Sequence, residues 1–246
     1  MPEDIVFLHG FAGTHRAFDG VIERLSPTRY TPLALDLPGH GEQREAKPPI
    51  TFAGCVESVL SRSPERFVLC GYSLGGRVAL HVALAAPERV SHLVLIGANP
   101  GIEDPAERDA RLASDERLAK RLETEPFEAF IESWRTQPLF AADPPEVGAL
   151  ARNDQQRNDP LPLAAVMRGL SVGAMSSLWS RLGELQMRVT LLAGDRDTKF
   201  VELGERALPL LRRGSLAILR GGHGLPLENP AGVAGVLEGA DAEAGG

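Results

Sequence analysis

Short runs of uninterrupted apolar residues, separated by segments long enough for a helix, dominate the first hundred positions. Ile5-Val6-Phe7-Leu8 is the first and Leu33-Ala34-Leu35 the second. The third lies within Arg66 to Cys70 and the fourth within Ser91 to Ile96. A strand with one wet face alternates apolar and polar residues. These runs do not alternate, so both faces are expected to be buried, as in a parallel sheet. Thr14 to Leu25, Thr51 to Ser63 and Leu74 to Ala86 fill the gaps as helix candidates. The β–α–β–α rhythm predicts an α/β fold, a mostly parallel sheet with helices on both sides.

The rhythm stops at about residue 102. From there to 182 the chain is charged and helix-favouring, as in Ala106-Glu107-Arg108-Asp109-Ala110-Arg111-Leu112, and holds no strand-like run. It resumes with Val189 to Gly194, a helix candidate at Val201 to Leu211, the run Leu216 to Leu219, and a last helix opened by Pro230. Proline suits a first helical position because its φ is already set. The expected organisation is a core in two parts, 1–101 and 183–246, with a helical lid, 102–182, inserted after the fourth of about six strands. The small, acidic tail from Gly239 onward is expected to fray.

Of the 246 residues, 43% are hydrophobic and 24% charged, enough for a sizeable core and a soluble surface. A formal net charge of −7 argues against nucleic-acid binding, which needs a basic surface to release phosphate counterions. It leaves open a small anionic ligand, which feels local charge. Two cysteines, Cys55 and Cys70, make no disulfide framework, and Cys70 reads as a small buried hydrophobe. No secretion signal or membrane span is apparent, so the expected location is the cytoplasm. The histidines are scattered and no Gly-x-Gly-x-x-Gly follows the first run, so neither metal nor nucleotide cofactor is expected.

Gly71-Tyr72-Ser73-Leu74-Gly75 matches Gly-x-Ser-x-Gly and falls between a buried strand and a helix. In that setting a sharp turn lifts the serine oxygen above the carboxyl end of the sheet, and the glycines leave room for the turn. The Leu74 amide opens a helix and is free to donate to an oxyanion. The loop after the first strand, His9-Gly10-Phe11-Ala12-Gly13, offers the Phe11 amide as a second donor. A serine hydroxyl needs a base. His223, in the loop Gly221-Gly222-His223-Gly224 after the last strand, is the candidate. Of the other histidines, His9 is expected to be structural, His15 and His40 to lie in polar loops, His81 to sit in or beside the core, and His92 to begin a strand. The imidazole needs a carboxylate to fix its tautomer. Asp197 is chosen over Asp195, the turn-former beside it. The order Ser, Asp, His is that of α/β-hydrolases. Asp36-Leu37-Pro38-Gly39-His40-Gly41 reads as a turn.

On these motifs the chain resembles the α/β-hydrolase superfamily from end to end. It is more closely similar to the pyruvate-eliminating lyases of menaquinone biosynthesis. That closer likeness rests on Gly76-Arg77-Val78-Ala79 after the elbow, on Ser114-Asp115 and Thr124-Glu125-Pro126, on Thr198-Lys199-Phe200, and on Glu228-Asn229-Pro230. The resemblance implies a small polyanionic substrate with three carboxylates, on a succinyl chain, a ring and an enolpyruvyl ether. It implies that Ser73 removes a ring proton beside the succinyl carbonyl and that pyruvate leaves. It also implies substrate contacts from Tyr72, Arg77, Arg111, Trp134, Phe140 and Arg157, with Arg152 competing for the last place. Arginine suits this task because its fork pairs two carboxylate oxygens at once. The first strand starts almost at Met1, so the extra amino-terminal strands of many hydrolases are expected to be missing or reduced. The alternative use of the same three residues is hydrolysis of a carboxylester or thioester through an acyl-enzyme.

Overall fold

The computed structural model describes residues 2–141 and 143–239. The acidic tail expected to fray lies outside the described residues apart from Gly239. Among the described residues six strands form one parallel sheet: β1 (Glu3–Leu8), β2 (Tyr30–Leu35), β3 (Phe67–Tyr72), β4 (Val90–Ile96), β5 (Arg188–Gly194) and β6 (Gly214–Leu219). Their order across the sheet is β2-β1-β3-β4-β5-β6. The chain runs from β1 out to the edge at β2, returns past β1 to β3, and then proceeds to the other edge. The reversal leaves a crevice above the carboxyl ends of β1 and β3, where Leu8 pairs with Gly71. Open parallel sheets bind ligands at such a switch point.

The helices are α1 (Asp19–Ile22), α2 (Phe52–Arg62), α3 (Leu74–Ala85), α4 (Pro105–Thr124), α5 (Phe127–Arg135), α6 (Pro145–Gln155), α7 (Pro160–Gly169), α8 (Thr198–Ala207), α9 (Leu225–Glu228) and α10 (Pro230–Leu237). Thr51 caps α2 by accepting from the Gly54 amide, Asp104 caps α4, and Asn229 caps α10. The helix expected over Thr14 to Leu25 is instead a 3₁₀ turn (His15–Phe18) followed by the single turn α1. Gly20 lies where Pro230 presses in, a Cβ there standing 3.3 Å from the proline ring, so this segment is shaped by α10.

Side-chain alternation along β1 feeds two cores. Val6 and Leu8 join Cys55 and Val59 of α2 and Val78 of α3. Ile5 and Phe7 join Phe18, Val21 of α1 and Val233 of α10. Both sheet faces are therefore covered, which is why the runs read as continuous. Cys70 is fully buried, as expected, and both cysteines are free. Between β4 and β5, helices α4, α5 and α7 share a smaller core of Leu122, Phe130 and Leu163, which also takes in Ala12 from the loop after β1. Among the described residues no helix is long and apolar enough to cross a membrane.

Helix α3 approaches the sheet closely. A Cβ on Gly75 would stand 2.1 Å from the Leu8 carbonyl oxygen, and one on Gly71 would stand 2.5 Å from the Gly75 carbonyl oxygen. Alanine normally stabilises a helix relative to glycine. At Gly75 the clash with backbone reverses the sign. Gly75→Ala is expected to cost about 3 kcal/mol, the range of severe overpacking, read from urea unfolding. A midpoint at or above that of the parent would contradict the packing described.

Candidate active site

Ser73 is the residue between β3 and α3, and its φ of +53° and ψ of −109° are rarely adopted by a non-glycine residue. The close approach of α3 holds it there, and its amide donates to the Ile96 carbonyl at 2.8 Å. The hydroxyl is thereby lifted off the sheet toward His223, whose Nε2 lies 3.0 Å from Ser73 Oγ. On the other side of the ring, Nδ1 lies 2.7 Å from Asp197 Oδ2. An ionised carboxylate only accepts, so Nδ1 carries the proton and Nε2 is left to accept from the serine. His223 and Asp197 are 2% and 6% exposed. The imidazole lies on Gly97, where a Cβ would be 2.8 Å from the ring, and Gly97 itself has φ +55°. Phe200 and Tyr72 flank it with ring centroids at 4.6 and 5.3 Å. Asp195 accepts from the Gly221 amide at 2.9 Å and so braces the histidine loop.

The Leu74 amide opens α3 above the crevice, and the Phe11 amide sits in the loop after β1. Among the described residues neither donates to a protein acceptor. That loop is shaped from below. His9 is fully buried, donates from Nδ1 to the Gly10 carbonyl at 2.8 Å and accepts the Leu37 amide on Nε2 at 3.0 Å. His40, expected in a polar loop, is also fully buried, and its Nε2 accepts the Ala12 amide at 3.2 Å. Ala12 has φ +58°, so the contact pins a strained residue next to Phe11. Asp36 accepts the amides of His15 and Glu42, which makes it a turn-former.

A cavity of about 580 Å³ opens over Ser73, a size suited to a small molecule. Tyr72, Arg77, Arg111, Trp134 and Phe140 line it. Arg77 follows Ser73 by one helical turn on the same face. Its Nε is sealed from solvent and, among the described residues, has no hydrogen-bond partner. Burial, and then the Arg111 guanidinium, pull Arg77 below the ordinary arginine value, while Asp115 opposes them. A cation in this position gains from any ligand carboxylate that reaches it. Arg111 is aimed by Asp115, whose Oδ2 accepts from Arg111 Nε at 2.8 Å and from the Ser171 hydroxyl at 2.6 Å. Trp134 Nε1 is likewise buried and, among the described residues, without a partner.

Arg157 does not join this group. It is exposed and lines no part of the cavity. Its neighbours Asp154 and Asn158 turn inward instead. Asp154 accepts from the Thr14 amide at 2.8 Å, and Asn158 donates to the Ala12 carbonyl at 2.7 Å, which turns the intervening arginine outward. Arg152 pairs with Glu132 and is also outside the cavity. Sequence reasoning missed Arg135 and Asp143, which form a pair on the cavity wall. The only signal for Arg135 was its place directly after Trp134. Among the described residues no cluster of histidine, cysteine and carboxylate side chains could hold a metal ion.

Fold and site together define an α/β-hydrolase. The alpha/beta hydrolase family profile matches residues 5–236, and the chain belongs to that family. Within it, the chain is 35% identical over 235 residues to the 2-succinyl-6-hydroxy-2,4-cyclohexadiene-1-carboxylate synthase of Citrobacter koseri, covering 93% of this chain and 90% of that one. It is 34% identical over 242 residues to the synthase of the same name from Escherichia coli O1:K1, with the same coverage. Among solved structures, MenH from S. aureus superposes with a TM-score of 0.89 at 29% identity, over 96% of this chain and 92% of that one. An enol-lactonase from Burkholderia xenovorans LB400, at 17% identity and a TM-score of 0.81, shares the fold.

The buried histidines give the fold a pH dependence. Burial pulls His40 well below 6.5 and brings His81 and His92 to about 4. Below pH 6.5 the unfolded chain therefore binds protons that the folded chain refuses. Stability is lost as pH falls through that window, by up to about 1.4 kcal/mol per pH unit for each histidine. Asp143, raised by burial, works in the opposite direction, but it is a single group. The urea midpoint is expected to fall between about pH 7 and about pH 5. A flat profile would contradict neutral histidines at these positions.

Proposed function

We propose that this enzyme is a cytoplasmic lyase of menaquinone biosynthesis. It eliminates pyruvate from 2-succinyl-5-enolpyruvyl-6-hydroxy-3-cyclohexene-1-carboxylate to give 2-succinyl-6-hydroxy-2,4-cyclohexadiene-1-carboxylate. The observation that carries the reading is Arg77, its Nε sealed and without a partner among the described residues, one turn from Ser73 in a cavity that also holds Arg111. A neutral ester has no use for such a cation. The names of the synthase relatives support the same reaction.

In this reading the Ser73 hydroxyl passes its proton to His223 Nε2, and Asp197 stabilises the imidazolium that forms. The serine oxygen takes the ring proton beside the succinyl carbonyl. Charge moves onto the carbonyl oxygen, where the Phe11 and Leu74 amides donate to it, at about 3–4 kcal/mol per donor. The electrons then return through the ring alkene, the carbon–oxygen bond to the enolpyruvyl group breaks, and pyruvate leaves with a proton returned from the imidazolium. No acyl-enzyme forms. Segment 102–182 serves as the lid, with Arg111 and Trp134 reaching down from it and Asp154 and Asn158 tying it to the loop that holds Phe11.

Mixing the protein with the enolpyruvyl substrate is expected to release pyruvate, followed by coupled reduction. Ser73→Ala should lower kcat by at least about 10³-fold while substrate still binds. Arg77→Ala should cut kcat/KM by about 10–100-fold through an unpaired carboxylate. Rapid turnover of p-nitrophenyl butyrate with no pyruvate from the enolpyruvyl substrate would assign a hydrolase instead.

A further inference from the structure

The cavity holds a second cationic group that lies apart from Arg77 and Arg111. Arg135 closes α5, and its side chain is only 9% exposed. The guanidinium sits over the Phe140 ring at 4.5 Å, and Nη2 donates to Asp143 Oδ2. Asp143, with a side chain 3% exposed, abuts the histidine loop, its Oδ1 3.2 Å from where a Cβ on Gly222 would stand. The pair thus stands on the His223 side of the cavity. A buried ion pair adds little stability by itself, because desolvation offsets the attraction. Among the described residues this one uses a single donor of the five on the guanidinium, and both partners line the cavity wall.

The remaining cations are placed differently. Arg157 and Arg152 lie outside the cavity, Arg196 is exposed and tied to Glu228, and Lys199 is exposed at the rim. Arg135 alone among these is both sequestered and on the wall. Phe140 supports the plane of its fork, and Asp143 sets its direction, as an acidic partner does for Arg111.

We propose that Arg135 is a carboxylate-binding residue of this cavity, a third cation that grips the substrate from the histidine side, with Asp143 as its positioning residue. The proposal rests on the tricarboxylate reading above and assigns the place that the resemblance implied for Arg157.

Calorimetric titration of the enolpyruvyl substrate into Ser73→Ala protein separates binding from chemistry. Adding Arg135→Gln is expected to raise Kd about 10–100-fold. Adding Asp143→Asn to that double variant is expected to leave Kd raised, because the lost contact is with the ligand. Recovery of the Ser73→Ala affinity would mean that Arg135 serves only to neutralise Asp143, and would overturn the proposal. Arg135→Lys keeps the charge without the fork and is expected to bind with intermediate affinity. It carries the test should the glutamine variant fail to fold, and an unchanged Kd there would count against the assignment. If Ser73→Ala protein itself does not bind the tricarboxylate, the lyase reading falls and takes this inference with it. If it binds and loss of Arg135 leaves Kd within about twofold, the Arg135 assignment alone falls.

Discussion

The contact between helix α3 and strand β1 governs much of what this molecule can do. Gly75 lets the helix backbone come against the Leu8 carbonyl, and Gly71 accepts the same helix from the strand below. With the helix that close, the linking residue has to adopt φ +53°. A strained backbone of this kind costs about 1–3 kcal/mol and persists only where the surroundings over-determine it. Here the surroundings are the two-sided core of the sheet. The strain is spent on direction: Ser73 Oγ stands clear of the sheet, within hydrogen-bond reach of an imidazole that arrives from a strand three places away.

The other groups follow from the sheet order. Because β1 and β3 are neighbours, the loop carrying Phe11 lies beside the elbow carrying Leu74. Because β5 and β6 are neighbours, Asp197 and His223 meet although 26 positions separate them. Each arm is then braced by polar groups that take no part in the chemistry. Asp195 holds the histidine loop, and His9 and His40 hold the Phe11 loop from below, with Asp154 and Asn158 tying it to the helices above. Buried neutral imidazoles make rigid acceptors for backbone amides, and the acid sensitivity of the fold is the cost of using them.

The sheet and the elbow were legible in the sequence for a physical reason. Strands buried on both faces must be apolar throughout, and Gly-x-Ser-x-Gly at a strand end admits few geometries. Ser73, Asp197 and His223 could be placed because each follows a recognisable strand. The burial of His40 could not, since it depends on the Ala12 amide 28 positions away. Nor could the orientation of residues 154–158, where Asp154 and Asn158 turn inward and Arg157 is left outside. Arg135 was hidden for a similar reason. A charged residue at the end of an amphipathic helix looks like a solvated one until Phe140 and Asp143 are seen to enclose it. Resemblance supplied candidate arginines, and tertiary contacts decide which of them reach the cavity.

In the proposed reaction Ser73 acts as a base toward carbon and not as a nucleophile toward a carbonyl. Replacing the ring hydrogen beside the succinyl carbonyl with deuterium and following pyruvate release tests it most directly. A primary isotope effect on kcat/KM is expected, with an enzyme whose intact mass is unchanged during turnover. Equal rates for the two isotopologues, together with a covalent adduct on Ser73, would contradict it.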